Sequence, residues 1–476
     1  MTPAPAVTGG TPGRRRTLIV SDLHLCDVED HADGWKRYKS SEMLYDQELV
    51  ALLERFQAEA EPGEPCLLVL NGDIIDFDLV TRVPDPAPFP VSRGERRRGL
   101  DPLEQKAVWT VELVLAQHPS LADGIARFLV AGHRVLYVMG NHDREFHFEG
   151  VQRALVGGLQ AAAARQGLSF PHTAVTFEPW FYHEPGWVFI EHGNQYDPFS
   201  SFPNLLSPTI VQNGEQSIDL PMGNLTNRTL ISVMGYFNPH STNFILNAWR
   251  YVAHWLRYYA FTRRSLVINW LWGSVLVMAQ LFGKLPASRR RRRDHLEAVD
   301  QFAERAGVPV EVARRIDAMK RPPIVDRVFG LLRELWLDRV LLALLMTIGT
   351  VALAVSGAPL WVKLMVPLSS LPLLWLVYES LARSDSILGV SEELRAAARR
   401  IAEMLPVRVV AFGHTHAPEV VPLGRGVSYV NTGTWAPVFQ EIRGPLEPGL
   451  RNYVILRFEG DAVHIELGAC MPVEPG

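Results

Sequence analysis

Short apolar runs recur through the first two hundred residues, separated by longer stretches with helical spacing. LIVS after Thr17, LLVL (67–70), VLYVM (135–139) and WVFIE (187–191) are short and rich in branched residues, so they predict strands. Asp46 to Ala58 and Lys106 to Ala131 predict helices between them. This rhythm predicts an α/β domain whose strands feed loops at their carboxyl ends. The Pro- and Arg-rich stretch from Val83 to Gly99 reads as a lid or specificity loop. After about Ser200 the pattern changes. Residues 201–240 are rich in Pro, Asn, Ser and Gly, and aromatics then crowd in at Trp249, Tyr251, Trp255, Tyr258, Tyr259 and Phe261. Three apolar segments follow, Leu266–Gly283, Val340–Gly357 and Leu360–Tyr378. A helix over Ser391–Leu405 and a strand in VRVVAFG (407–413) restore the α/β rhythm. The expected organisation is a tail over 1–16, an α/β part over 17–200, a mostly helical insertion over 201–404 and a second α/β part over 405–476.

Composition narrows the classes. A chain of 476 residues can hold two or three domains, and its formal net charge of −4 argues against bulk nucleic-acid binding. The three cysteines, Cys26, Cys66 and Cys470, form no CxxC pair and suit a reducing compartment. The opening MTPAPAVTGGTPGRRR has no apolar run before the first strand and predicts a disordered tail without a secretory signal.

Polar clusters stand where the predicted strands end. TLIVSDLHL delivers Asp22 and His24 two apart, a spacing at which alternate side chains reach one cation. LLVLNGDIIDF delivers Asp73, with Asp76 three residues on, and VLYVMGNHDRE delivers Asn141, His142 and Asp143. WVFIEHGNQYDP supplies His192, and VRVVAFGHTH supplies His414 and His416. Gly72, Gly140 and Gly413 precede three of these clusters, where the backbone is expected to turn sharply off the strand. Packing accounts poorly for five strand ends that carry Asp, Asn or His, because such groups are costly to bury without a partner or a cation. Mixed carboxylate, carboxamide and imidazole donors suit divalent Mn, Fe or Zn. Asp22, His24, Asp73, Asn141, His192, His414 and His416 are too many donors for one tetrahedral ion and suit two.

DLH, GDIID, GNHD, the isolated His192 and GHTH, in that order, resemble the calcineurin-like metallophosphoesterases. The resemblance covers roughly 17–200 and 405–470 and leaves out the middle. It implies a β-sandwich flanked by helices, with a dinuclear metal site at the strand ends. One metal would take Asp22, His24, Asp73 and His416; the second would share Asp73 and take Asn141, His192 and His414. Two cations roughly 3.5–4 Å apart would activate a bridging water as hydroxide and clamp the phosphoryl oxygens. His142 would protonate the leaving oxygen, with Asp143 orienting its ring. Arg144 is a candidate phosphate contact or a surface salt bridge, and Tyr196 and Asp197 are candidate site linings. His147, His183, His240 and His254 read as surface or core histidines.

The apolar segments raise the question of a membrane. A helix needs about 17–25 apolar residues to cross a bilayer core, and Val340–Gly357 and Leu360–Tyr378 both reach that length. They predict a membrane hairpin at about 338–380. His192 precedes the insertion and His414 follows it, so the chain must cross an even number of times; Leu266–Gly283, with Asn269 and Gln280, is then expected to lie in the interface or pack on protein. Arg327, Arg333, Arg339 and Arg383 flank the hairpin on the catalytic side, which places that side in the cytoplasm. The block Arg289–Arg293 reads as a contact for anionic lipid or as a solvated run. Residues 296–320 read as a two-helix cap.

Together these expectations describe a membrane-associated, metal-dependent phosphoester hydrolase with two divalent ions. A lipid or lipid-linked phosphoester is one substrate class, by analogy with the membrane-associated UDP-2,3-diacylglucosamine hydrolases of the same superfamily. A soluble nucleotide or phosphoprotein is the enzymatic alternative. A non-catalytic membrane-bound sensor is the third, and the His142–Asp143 pair counts against it.

Overall fold

The computed structural model describes residues 15–212, 214–240, 248–262, 264–324, 328–381, 389–439, 451–459 and 462–470. All of the expected tail except Arg15 and Arg16 lies outside them. The first strand, β1 (Arg15–Val20), starts at that arginine pair because Arg16 takes part in the ladder on both sides, opposite Arg457 and Cys66. Helix α1 (Asp46–Ala58) then leads to β2 (Cys66–Asn71). The stretch expected as one helix from Lys106 to Ala131 is two, α2 (Glu104–Gln117) and α3 (Pro119–Val130). Pro119 has no amide hydrogen to donate into the preceding turn and serves instead as the first residue of α3. β3 (Arg134–Val138), α4 (Glu149–Arg165), β4 (Val175–Glu178), β5 (Phe181–Glu184) and β6 (Val188–Glu191) complete the first part.

After β6 come a small hairpin, β7 (Thr209–Gln212) with β8 (Glu215–Ile218), and a run of helices. These are α5 (Met222–Thr229), α6 (Ala248–Tyr258), α7 (Leu266–Arg290), α8 (Arg292–Arg305), α9 (Val310–Ala318), α10 (Val328–Glu334), α11 (Leu337–Val355), α12 (Leu360–Leu381) and α13 (Val390–Met404). The chain then closes with β9 (Val409–Phe412), β10 (Glu419–Gly424), β11 (Val427–Asn431), β12 (Asn452–Glu459) and β13 (Ala462–Ala469).

Two sheets carry the fold. One has the order β13-β12-β1-β2-β3-β4, with β1 to β4 parallel and β12 and β13 antiparallel. The other has the order β10-β11-β9-β6-β5. The strands are apolar on both faces, and alternation sorts them. Ile19, Val69, Leu136, Val138, Val454 and Leu456 meet Val188, Ile190, Val409, Ala411 and Val430 between the sheets, while Leu18, Leu68, Leu70, Val135, Tyr137 and Ile455 face the helices. The everted half of each strand explains why the runs read as continuous apolar blocks. The insertion leaves from β6 and returns at β9, and those two strands are parallel neighbours, with Val188 opposite Val409. A long excursion therefore ends where it began.

The insertion divides by exposure. α7 buries Ser274, Val277 and Leu281 against protein and shows Val267, Ile268, Leu271, Trp272 and Val275 to the outside. Part of the aromatic cluster is core: Tyr259 is buried, its hydroxyl donating to the Met234 carbonyl and accepting from the Tyr236 amide. Phe261, by contrast, is 92% exposed. α8 and α9 pair around the Gly307–Pro309 break and set Phe302 against Trp180 and Phe181. α11 and α12 are long and apolar enough to cross a membrane, and none of their apolar stretch is buried. At their base Arg339 makes two hydrogen bonds to Glu379, at 2.8 and 3.1 Å, and the Tyr378 hydroxyl bonds to Asp338. Arg327 and Arg383 lie outside the described residues.

Candidate metal centre

The polar clusters converge at one end of the two sheets. Asp22 and His24 follow β1, Asp73 follows β2, Asn141 and His142 follow β3, His192 follows β6, and His414 and His416 follow β9. Their backbone is unusual. Asp22, His24, Asp73, His414 and His416 all have φ between 51° and 68°, the left-handed region that costs an ordinary side chain roughly 1–2 kcal/mol. Such conformations persist only where the surroundings hold them, and here they aim short polar side chains inward.

Of the three glycines, only Gly72 has a positive φ among the described values, at 78°. Gly140 and Gly413 are required for space instead. A Cβ at Gly140 would stand 2.2 Å from Asp73 Oδ1, and one at Gly413 would stand 2.7 Å from Asp22 Oδ2. The carboxylates lie where a side chain on the neighbouring turn would be.

Three groups form. Asp22, His24 and His416 bring their donor atoms together, as do Asp73, His192 and His414, with every pair in a group within 4.8 Å. A third, unanticipated group joins His24, Asp76 and His142. In the first, His416 Nε2 stands 3.2 Å from Asp22 Oδ1 and 3.2 Å from His24 Nε2. In the second, His192 Nε2 stands 3.0 Å from Asp73 Oδ2 while its Nδ1 donates to the Asn71 carbonyl at 2.9 Å. The other oxygen of Asp73 accepts the His142 amide at 2.8 Å. The Asp22 amide-facing oxygen accepts from the His414 N–H at 3.1 Å.

Charges follow from this crowding. Burial pushes the Asp73 carboxyl up, but the His192 and His142 imidazoles beside it prevail and hold it well below the usual carboxylate range. Burial pushes His192 down, and Asp73 and Asp22 carry it the other way, up to about 9. Around Asp73 the negative charge is thus offset by the raised His192 and His142 imidazoles. One buried oxygen, Asn141 Oδ1, has no hydrogen-bond partner among the described residues, and Asp22 Oδ1 meets only the His416 ring within hydrogen-bond reach, at 3.2 Å. Under-satisfied acceptors next to facing imidazole nitrogens fit divalent ions, and oxygen with nitrogen donors fits the borderline metals.

The expectations for Asp143 and Arg144, among others, need correction. Asp143 does not orient His142: its oxygens accept from Tyr137 Oη at 2.7 Å, the Ile74 amide at 2.9 Å and the Gly140 amide at 2.6 Å. The strand-to-turn geometry folds Asp143 back beneath the loop. His142 Nδ1 faces Asp76 Oδ1 at 3.2 Å and Asp78 Oδ2 at 3.0 Å instead. Asp76 is both a loop cap, accepting from the Asp78 and Leu79 amides, and the partner of His24 Nδ1 at 2.7 Å. Arg144 is no phosphate contact or surface pair. It is fully buried, donates to the Pro179 and Met139 carbonyls and covers Phe202. Asp197 does line the centre, 2.9 Å from His414 Nε2, whereas the Tyr196 hydroxyl turns away to Glu191.

The insertion supplies residues that no motif announced. His240 stands ring to ring 4.4 Å from His24 and 6.0 Å from His416, not in a separate core or on the open surface. On α5, Asn227 Nδ2 lies 3.5 Å from His142 Nε2, and Asn224 Nδ2 donates to Asp78 and to the Asn141 carbonyl. These residues roof the strand ends.

The sequence model of the calcineurin-like phosphoesterases matches residues 15–259. The chain belongs to that family. A search of curated proteins finds no match. This calcineurin-like phosphoesterase is therefore a phosphoester hydrolase, and its family works with two divalent metals. The match extends over 201–259, which the motifs leave out, so the roof residues fall within the family region. His414 and His416 lie beyond the match, and β9 brings them in.

Proposed function

We propose that this phosphoesterase hydrolyses a lipid or lipid-linked phosphoester at the cytoplasmic face of a membrane. Asp22, His24, Asp73 and His416 would hold one ion, and Asp73, Asn141, His192 and His414 the other. Bound there, the ions would lower the pKa of water and offset charge on the phosphoryl group. The chain's own part is positional. Asp76 and Asp78 engage His142 Nδ1, so Nε2 faces the Asn227 side as the atom that delivers a proton to the leaving oxygen. Asp143 supports the loop under Asn141 rather than the ring.

The observation that carries the membrane reading is the make-up of the insertion. Asn227 and His240, over the centre, belong to the same excursion as α11 and α12, whose apolar stretch has no buried part. The 19 residues of α11, at a rise of 1.5 Å each, span about 28 Å, close to a bilayer core of about 30 Å. Charges gather at the ends: Arg339, Glu379 and Asp338 at the base, Lys363 near the tip. α7, with one face on protein and one apolar face outward, supports an interfacial position.

Hydrolysis of lipid phosphoesters in vesicles, compared with soluble nucleotides, tests the substrate class. Turnover should vanish with chelator and with His142→Ala while the variant keeps its metal. Flotation with liposomes should be lost when 338–380 is removed. Preference for soluble nucleotides, together with undiminished flotation of the truncated chain, would overturn this reading.

A further inference from the structure

The arginine block is not a uniform surface. Arg290 folds back on the Pro286 carbonyl, Arg291 bonds to Thr209 and Asp294, and Arg293 pairs with Glu297. Arg289 and Arg292 instead line a cavity of about 200 Å³, away from the metal ligands. That is space for about six or seven waters, enough for a compact anionic group and too little for acyl chains.

The lining has the chemistry of an anion site. Lys284 and Arg292 share the lining with one carboxylate, Asp219, which leaves one positive charge in excess. The half-buried Lys284 ammonium makes no hydrogen bond or ion pair among the described residues, and neither does Arg292; Asp219 and Asp101 act on Lys284 only through space. Ser201 is fully buried on the same wall, and its hydroxyl has no partner among the described residues. A buried hydroxyl without a partner is costly, and one that shares a cavity with unpaired Lys284 and Arg292 is relieved by an anionic acceptor bound there. Leu281 and Leu285 form the apolar part of the wall.

We propose that this cavity is a second, non-catalytic site for a phosphate-bearing group, held by Lys284 and Arg292 with Ser201 Oγ donating. Its setting ties it to the rest of the molecule. One wall includes Pro198, next to Asp197 at His414; another includes Met222, which begins the helix carrying Asn224 and Asn227. A third is the carboxyl end of α7, whose other half shows its apolar face outward. The phosphate could come from a lipid headgroup or from a soluble phosphate.

Calorimetric titration of the full metal-loaded chain in neutral detergent tests this. The ligands are inorganic phosphate and, separately, a short-chain lipid phosphonate that resists hydrolysis. The wild type is expected to bind two equivalents, one at the metal centre and one in the cavity. Lys284→Gln combined with Arg292→Gln is expected to bind one, with unchanged turnover of a small chromogenic phosphodiester, so that loss of this site is distinct from loss of catalysis. Ser201→Ala should weaken the second site about tenfold, and it carries the test alone if circular dichroism shows the charge variant misfolded. Loss of the second equivalent with both ligands supports a site for phosphate itself. Loss with the phosphonate alone supports a lipid headgroup site with Leu281 and Leu285 at its neck. A single equivalent of each ligand in the wild type, or no loss of a second equivalent with either ligand in the variants, overturns the proposal.

Discussion

Gly140→Ala should empty the metal centre without replacing a ligand. The new methyl would lie 2.2 Å from Asp73 Oδ1, 2.6 Å from the Asp73 amide nitrogen and 3.0 Å from its Cγ. Ordinary contact begins near 3.4 Å, so the carboxylate and the turn behind it must retreat by 3.4 − 2.2, about 1.2 Å. The amide nitrogen belongs to a backbone already held at φ 54°, so rotation of the side chain alone cannot relieve the clash. Asp73 Oδ1 also accepts the His142 amide, and that loop must shift as well. Overpacking of this kind costs about 1–3 kcal/mol in stability, and a displacement of about 1 Å costs about 100-fold in rate. The assay is metal content per chain by atomic emission after gel filtration, beside kcat on a chromogenic phosphodiester. Gly157→Ala in α4 is the control: its Cβ meets nothing within 4 Å, so it should gain up to about 1 kcal/mol from helix propensity and leave kcat unchanged. A folded Gly140→Ala protein with full metal content and wild-type kcat would refute the reasoning.

Asp76→Asn should lower kcat about 10–100-fold with near-normal melting, because Asp76 meets both His24 and His142. Asp143→Asn should mainly lower stability, by about 1–3 kcal/mol, since its two oxygens serve three donors; thermal melts beside kcat separate the two variants. Burial raises Glu178 to about 7 despite Arg305, so it keeps its proton in the fold after the unfolded chain has lost it. Its destabilising effect therefore grows as pH rises from about 4.5 to 7, and Glu178→Gln should gain about 1–2 kcal/mol at pH 8 and little at pH 5 in urea titrations. Chelation should abolish turnover and lower the melting temperature, by the equivalent of about 2.7 kcal/mol where free metal had stood at 100 times Kd; an unchanged melt would contradict a folded-state metal site.

Much of this was legible in the chain. DLH, GDIID, GNHD and GHTH each sit at the end of an apolar run, and the strand-to-turn step that makes them recognisable also aims them at one point. The helix break at Pro119 was open to the same reading, since proline at a first helical turn is a local signal. Other features were hidden because they are settled by tertiary approach. Nothing in GNHD tells whether Asp143 turns toward His142 or under the loop, and nothing near Asp76 shows that two imidazoles will reach it. His240 and Asn227 come from a Pro- and Asn-rich stretch without periodicity, and only the folding of α5 over the strand ends brings them near. The arginine block gave a charge total, but which of its residues line the cavity depends on the bend between α7 and α8.

The placement of β1 sets a schedule for biosynthesis. That strand is made before the rest of its sheet, yet one of its two partners is β12, and the cage begun by Asp22 is closed by His416. At 5–20 residues per second a ribosome needs roughly 20 to 80 s to travel from one to the other. During that interval the nascent chain offers half a cage, and the apolar hairpin emerges before the cage can shut. Hydrolytic competence would thus wait until His416 has been made, after the whole of the apolar hairpin.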